Sequence, residues 1–511
     1  MASMNMGSIN FGIFQMLDKY SEWKHDWETE FLGMTRDFIF RNTYAEMAIT
    51  LIGCIMFEEL VREVILLIEK TEGRSRNRTY TAQVNFEHAV HVILLDLWKS
   101  IHSVPVRECL INKRSGYYSE NPRYRDPLLT YKQTIAAFNG LEKLGFIEVT
   151  QEGYFDRETL QGGLTRFVAK DELLERLRGL EGHPAVRSQV NHAHEIIMLR
   201  NTIDGKKSFV EYEETPTTER FRENLRRINK CFSNHWFDLE IKDTEVEKLA
   251  QRISKHPNKE PIDFSKRSLV RIFSNGSFKQ GGRFYRGWWQ NVPSEYRKYI
   301  TIDEKRTAEV DFSQLNPHLL YISNYKELGS EDAYSRVLDG EHRDTVKQAF
   351  NAMVQASGPL KQCPDDIDLS EIEMSWPELR DRIVAAHKPI ADQFFIGIGN
   401  KLQYKDSCIA ERVMLQFVSM DAPPLPVHDS FIVHHAYAES GEIEEIMRRA
   451  FYDEMGEHIS KVDTEILSWE YRKDGESDSI EPAPTIDQIL MSDDDMSQWR
   501  KRHQLWYESL M

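Results

Sequence analysis

The sequence predicts an α+β protein of several domains, and three observations carry that expectation. From about residue 262 to 475 strand-like and helix-like stretches alternate, while helical periodicity dominates residues 10–70 and about 190–260. Near residues 130–169 a helical stretch, a glycine, a short β-branched run, a Gly-containing turn and a second short run follow one another. A chain of 511 residues also exceeds one ordinary core, and its length suggests about two to four domains.

Taken in order, the N-terminal helical region is expected over 1–80. Its longest apolar stretch, "AEMAITLIGCIMFEELVREVILLI", contains Glu46, Glu58, Glu59, Arg62 and Glu63, which fits a packed helix and not a membrane span. Residues 81–185 read as helix "NFEHAVHVILLDLWKSI", loop "NKRSGYYSENPRYRDPLL", helix "TYKQTIAAFNGLEKLG" and hairpin "FIEVTQEGYFDRETLQGGLTRFVAK". That is the order of a winged helix, which would lay the second helix in a DNA groove and use the hairpin as its wing. Lys113, Arg114, Arg123, Arg125 and Lys132 are the expected phosphate contacts, with Tyr117, Tyr118 and Tyr131 beside them; a module used only for packing fits the same pattern. Residues 186–261 read as a helical connecting region whose "FDLEIKD" is expected at a strand edge. Residues 262–475 form the α+β core, and 476–511 an acidic linker with a final helix, "SQWRKRHQLWYESL".

Composition is that of a globular chain, with 41% hydrophobic and 29% charged residues and a mean hydropathy of −0.54. A net charge of −17 argues against a phosphate-bearing partner, since Lys and Arg carry such binding. The sum hides a local reversal. Between Lys266 and Arg306 ten basic residues face three acids, interleaved with Phe273, Phe278, Phe284, Tyr285, Trp288, Trp289 and Tyr296. Such a surface suits a groove that tracks a nucleic-acid backbone. The five cysteines are scattered without C-x-x-C, which points to a reducing compartment without a zinc site. No secretory signal is visible, so a cytoplasmic protein is expected.

Two acids carry the chemistry. Asp311 in "RTAEVDFSQLNPHLLYI" ends a short strand before an amphipathic helix, and Asp429 in "VHDSFIV" interrupts an apolar, β-branched run that reads as a hairpin. Alone, each reads as a turn or helix-cap residue. On neighbouring strands they could hold two Mg²⁺ ions about 3.5–4 Å apart for an in-line phosphoryl transfer. Between them, Arg343, Lys347 and Asn351 recur every fourth residue. One helix face can then grip a triphosphate.

Asp311 in "VDFSQL", Arg343 with Lys347, and Asp429 in "VHDSF" stand in the order of polymerase motifs A, B and C. "GGRFYRGWWQNVP" precedes the first and "LQYKDSCIAERV" the last. Residues from about 265 to 440 therefore resemble the palm and fingers of family A DNA polymerases and the related single-subunit phage-type RNA polymerases. The resemblance implies a polymerase-type palm with reduced helical fingers, a thumb-like role for 186–261, and a bacterial, phage or plasmid setting. It implies catalytic roles for Asp311, Asp429 and Lys347, and metal ligation by Asp311, Asp429 and the Phe312 carbonyl. Nucleotide contacts fall to Arg343, Lys347, Asn316, Asn351 and Gln355; primer or template contacts fall to Arg283, Gln290, Gln403 and His428. The cofactor implied is Mg²⁺, with Mn²⁺ an alternative, and the partners are primer–template DNA or RNA and nucleoside triphosphates. A protein partner could dock on the acidic tail, and no membrane partner is expected.

The departures from that family are specific. Asn316 stands where a sugar-selecting Glu is usual, Ser430 where a Glu follows the motif C Asp, and Gln355 where a Tyr stacks on the incoming base. DNA synthesis is thereby favoured only slightly over RNA synthesis. Template-independent tailing, a winged-helix replication or regulatory protein with an inactive palm, and a metal nuclease are the alternatives.

Overall fold

The computed structural model describes residues 51–155, 162–180, 182–187, 195–203, 206–256, 259–365, 367–456, 462–465 and 496–510. The helical expectation for residues before 51 and the acidic linker through residue 495 lie outside them. Among the described residues, no helix is long and apolar enough to cross a membrane.

Helices α1 (Leu51–Glu72), α2 (Tyr80–Ile101), α3 (Tyr131–Lys143) and α4 (Asp171–Arg178) pack around one core. Phe57, Leu60, Val61, Val64 and Ile68 recur at helical spacing on α1 and are all buried, as an amphipathic stripe requires. α3 closes onto α1 at Gly140, where a Cβ would stand 2.4 Å from the Ile68 side chain. Strands β1 (Cys109–Ile111), β2 (Ile147–Gln151) and β3 (Thr165–Ala169) form an antiparallel sheet in the order β1-β3-β2, with Cys109 and Val149 both opposite Phe167.

The basic side chains expected on this module's nucleic-acid face are partly engaged within the protein. Arg123 bonds Glu214 at 2.6 Å, and Glu195 and Glu211 at 3.3 Å each. Arg125 stacks on the Tyr117 ring at 3.6 Å. The acids that neutralise Arg123 lie far along the chain, so local composition could not reveal them.

The helical expectation for 186–261 is corrected over its first part. "IMLRNTI" and "KKSF" form strands β4 (Ile197–Ile203) and β5 (Lys206–Phe209), paired antiparallel. The sequence signal was Asp204-Gly205, a dipeptide that favours hairpins. β4 then runs parallel to β7 (Val270–Ser274), which pairs with β8 (Ser277–Tyr285) to complete a four-stranded sheet. Strand pairing thus crosses the boundary expected at 261/262. The helical part is α5 (Pro216–Asn234), opened by a Thr215–Thr218 capping box, and α6 (Asp243–Ser254).

The largest sheet has the order β11-β12-β10-β9-β6, all antiparallel, and β13 also pairs β10. Its strands are β6 (Phe237–Leu239), β9 (Ile300–Ile302), β10 (Lys305–Phe312), β11 (Leu425–Val427), β12 (Ser430–His434) and β13 (Val462–Glu465). Helices α7 (Leu315–Ser323), α8 (Arg343–Gln355), α9 (Trp376–Ala386), α10 (Gly399–Ser419) and α11 (Glu442–Met455) share its apolar core.

"FDLEIKD" supplies β6 at the sheet edge, and its Asp238 is buried. The partner is Arg502 of α12 (Ser497–Leu510), whose guanidinium meets both carboxylate oxygens at 2.9 and 3.1 Å. Trp506 stacks on Trp236 at 5.2 Å, so the final helix is docked on this domain. Removing one member of a buried pair strands the other charge. Arg502→Ala is expected to lower unfolding stability by about 3–5 kcal/mol, measured by urea denaturation; a change under about 1 kcal/mol would mean that the pair is solvated in practice.

Candidate active site

β10 and β12 bring the two acids together. Their antiparallel register sets Asp311 opposite Ser430, the residue after Asp429. β11 and β12 are joined by the two residues His428 and Asp429, with His428 exposed and left-handed at φ +60°. Val427, Phe431 and Val433 are buried beneath this hairpin. Its outer strand is tied down at Pro426, whose carbonyl accepts from Trp289 Nε1 at 2.9 Å and from Gln290 Nε2 at 3.0 Å. Gln290 also lies 3.0 Å from the Phe284 carbonyl. Gln290, expected as a primer contact, thus also ties the hairpin to the end of β8.

Burial and the neighbouring Asp429 push the Asp311 carboxyl up to about 7, with the Lys347 ammonium pulling the other way. Taking a carboxylate out of water disfavours its charged form, and a like charge adds to that. Asp311 Oδ1 is buried without a hydrogen-bond partner. A buried acceptor left unpaired is costly, and an oxygen-only site with excess negative charge suits a hard divalent cation. The donor set thus fits Mg²⁺ or Mn²⁺ at Asp311 and Asp429.

Arg283 reaches the same place through a glycine bulge. Gly281 and Gly282 have φ of +70° and +84°, and a Cβ on Gly282 would stand 2.8 Å from the Phe273 ring and 2.9 Å from Ser407 Oγ. Only glycine allows β8 to approach α10 this closely. Arg283 then grips Asp406 Oδ2 at 2.7–2.8 Å. Asp406, on α10, is a site residue that sequence reasoning missed. Burial pushes its carboxyl up to about 7, Arg283 draws it down, and Asp429 raises it further. Its one sequence signal was an acid on the apolar face of "LQYKDSCIAERV".

Along α8, Arg343 opens the helix and pairs with Asp332 at 2.8 Å. Lys347 is exposed. Asn351 accepts from Asn316 Nδ2 at 2.9 Å, joining α8 to α7. Gln355 packs against the start of α10, where a Cβ on Gly399 would meet its side-chain amide at 2.3 Å. Gln403 lies half-buried on α10, and Phe312 is buried on β10. Tyr334, also missed, is buried, and burial and then Asp429 raise its hydroxyl pKa. Ser430 Oγ lies 2.5 Å from Glu309 Oε1 and 2.9 Å from the Val427 carbonyl, and Glu309 bonds Arg297 Nε at 2.8 Å.

Comparison with known proteins adds little to this geometry. No family model matches the chain. A stretch of 53 residues, 10% of the chain, is 47% identical to a 3,5-dioxohexanoate:acetyl-CoA acetone transferase of Paraburkholderia graminis, and the match spans only 17% of that protein's length. Among solved structures, the POL domain of Pol1 from M. smegmatis, in complex with DNA primer-template and dNTP, aligns over 82% of this chain and 67% of its own, at 12% identity and a TM-score of 0.27. A superposition at that score does not establish a common fold.

The raised Asp311 pKa has a sign that can be measured. The folded chain holds this proton more tightly than the unfolded chain does. Its contribution to stability is therefore full below the ordinary carboxylate range of about 4 and is lost as pH rises through about 7. In metal-free buffer the Tm advantage of Asp311→Asn over wild type is expected to grow between pH 4 and pH 8. A difference that stays constant with pH would contradict the assignment.

Proposed function

We propose that the chain is a divalent-metal-dependent nucleotidyltransferase that adds nucleotides to a 3′-OH of nucleic acid, with DNA the first product to test. The observation that carries the reading is the pair Asp311, on β10, and Asp429, in the turn that opens the neighbouring β12, with one Asp311 oxygen buried and unpartnered. Two Mg²⁺ or Mn²⁺ ions held there, with the Phe312 carbonyl as a further ligand, would lower the pKa of the attacking hydroxyl and stabilise the leaving oxygen.

The protein's own residues do the positioning. Lys347 and Arg343 hold the triphosphate from one face of α8, and Lys347 is placed to protonate the departing pyrophosphate. Asp332 fixes the Arg343 guanidinium and so limits its freedom before substrate arrives. Asn316 and Asn351, bonded to each other, line the sugar side, and Gln355 the base side. Arg283, Gln403 and His428 meet the primer end, with Asp406 orienting Arg283. The α3 helix and the β2–β3 hairpin, a winged-helix arrangement in this reading, offer exposed Tyr131 and Lys132 to duplex or template.

Purified protein incubated with primed template, Mg²⁺ and either dNTPs or rNTPs is expected to extend the primer. Asp429→Ala is expected to reduce extension to background while leaving duplex binding within a few-fold. Retained extension in Asp429→Ala would overturn the site. Duplex binding with no extension by wild type would favour a regulator with an inactive palm, and extension without template would favour tailing.

A further inference from the structure

We propose that Cys231, His235 and Asp421 form a binding site for one Zn²⁺ ion, with Asp303 orienting the imidazole. The proposal does not depend on the reading of Asp311 and Asp429. Cys231 sits on the last turn of α5 and His235 caps that helix, an i, i+4 spacing that puts both donors on one face. Asp421 comes from the turn between α10 and β11, and one donor atom from each of the three residues lies within 4.8 Å of the others.

The second layer is in place. Asp303 Oδ2 lies 2.6 Å from His235 Nδ1, and its Oδ1 accepts from the Trp236 amide at 2.9 Å. A carboxylate on one imidazole nitrogen fixes the ring so that the other can serve as a ligand. Here the other nitrogen, Nε2, lies 3.4 Å from Asp421 Oδ1. A thiolate, an imidazole and a carboxylate make a borderline-soft set that suits zinc better than magnesium.

Tetrahedral zinc keeps such ligands about 3.3–3.8 Å apart. The site must therefore tighten slightly. The freedom to do so lies with Asp421, whose side chain is 77% exposed, while Cys231 is buried. The ion would tie the end of α5 to the turn that feeds β11, and through Asp303 to the β9–β10 turn. These turns lead into β10, which carries Asp311, and β11, which ends at the His428–Asp429 turn. The position lies outside the candidate catalytic cleft.

Cobalt(II) is the probe that separates this site from an all-oxygen one, because only a thiolate ligand gives a sulfur-to-metal charge-transfer band. Full-length protein prepared without metal is expected to bind one Co²⁺ with that band and to lose it on adding Zn²⁺. Cys231→Ser should abolish the band, Cys363→Ser should keep it, and Asp303→Asn should weaken binding about 10–100-fold. Absence of the band in wild type would overturn the site without reliance on any variant, since His235 would then be held only by its carboxylates. A band that survives in a folded Cys231→Ser protein, judged by circular dichroism, would overturn it equally.

Discussion

Asp311 faces Ser430 across the β10–β12 ladder, and the candidate site depends on that register. Side chains alternate across a strand, so a slip of one residue would turn Asp311 to the other face and drive Val310 and Phe312 out of the core. Both are buried, so the hydrophobic core itself holds two like charges in proximity. The opposing electrostatic cost is met only in part by Lys347, which acts on Asp311 from α8. A bound divalent cation would supply the remaining compensation. Tightness in the core and excess negative charge at the surface of the sheet are thus two consequences of one pairing.

The surroundings hold that arrangement from several sides. Trp289 and Gln290 fasten Pro426, the β8 bulge delivers Arg283 to Asp406, and Ser430 bridges Glu309 and the hairpin backbone. Ser430, after Asp429, has an acid beside it. Glu309 stands behind it, with Arg297 balancing its charge. This places a hydroxyl and a neutralised carboxylate beside the candidate metal pair, a less negative setting than two adjacent free acids would make.

What was legible in the sequence was what local pattern encodes. The hairpin around Asp429, the strand ending at Asp311 and the face of α8 follow from alternation and helical spacing. What was not legible depends on distant partners. Asp406 reads as an ordinary helix acid until Arg283 arrives from across the fold, and Arg123 reads as a free cation until three glutamates from 195–214 surround it. The β4–β5 hairpin lay within a segment whose later helices dominated the pattern, although Asp204-Gly205 marked it. Gln290 bonds the Phe284 and Pro426 carbonyls, and the second of these lies far along the chain.

The central claim is that Asp311 and Asp429 share a cation. Mn²⁺ binding followed by electron paramagnetic resonance tests it most directly, with wild type, Asp311→Asn and Asp429→Asn compared at pH 8 without nucleotide. The account predicts saturable binding in wild type that weakens by at least about tenfold in each variant, and by more than either in the double variant. Equal Mn²⁺ affinity in all of the proteins would contradict it.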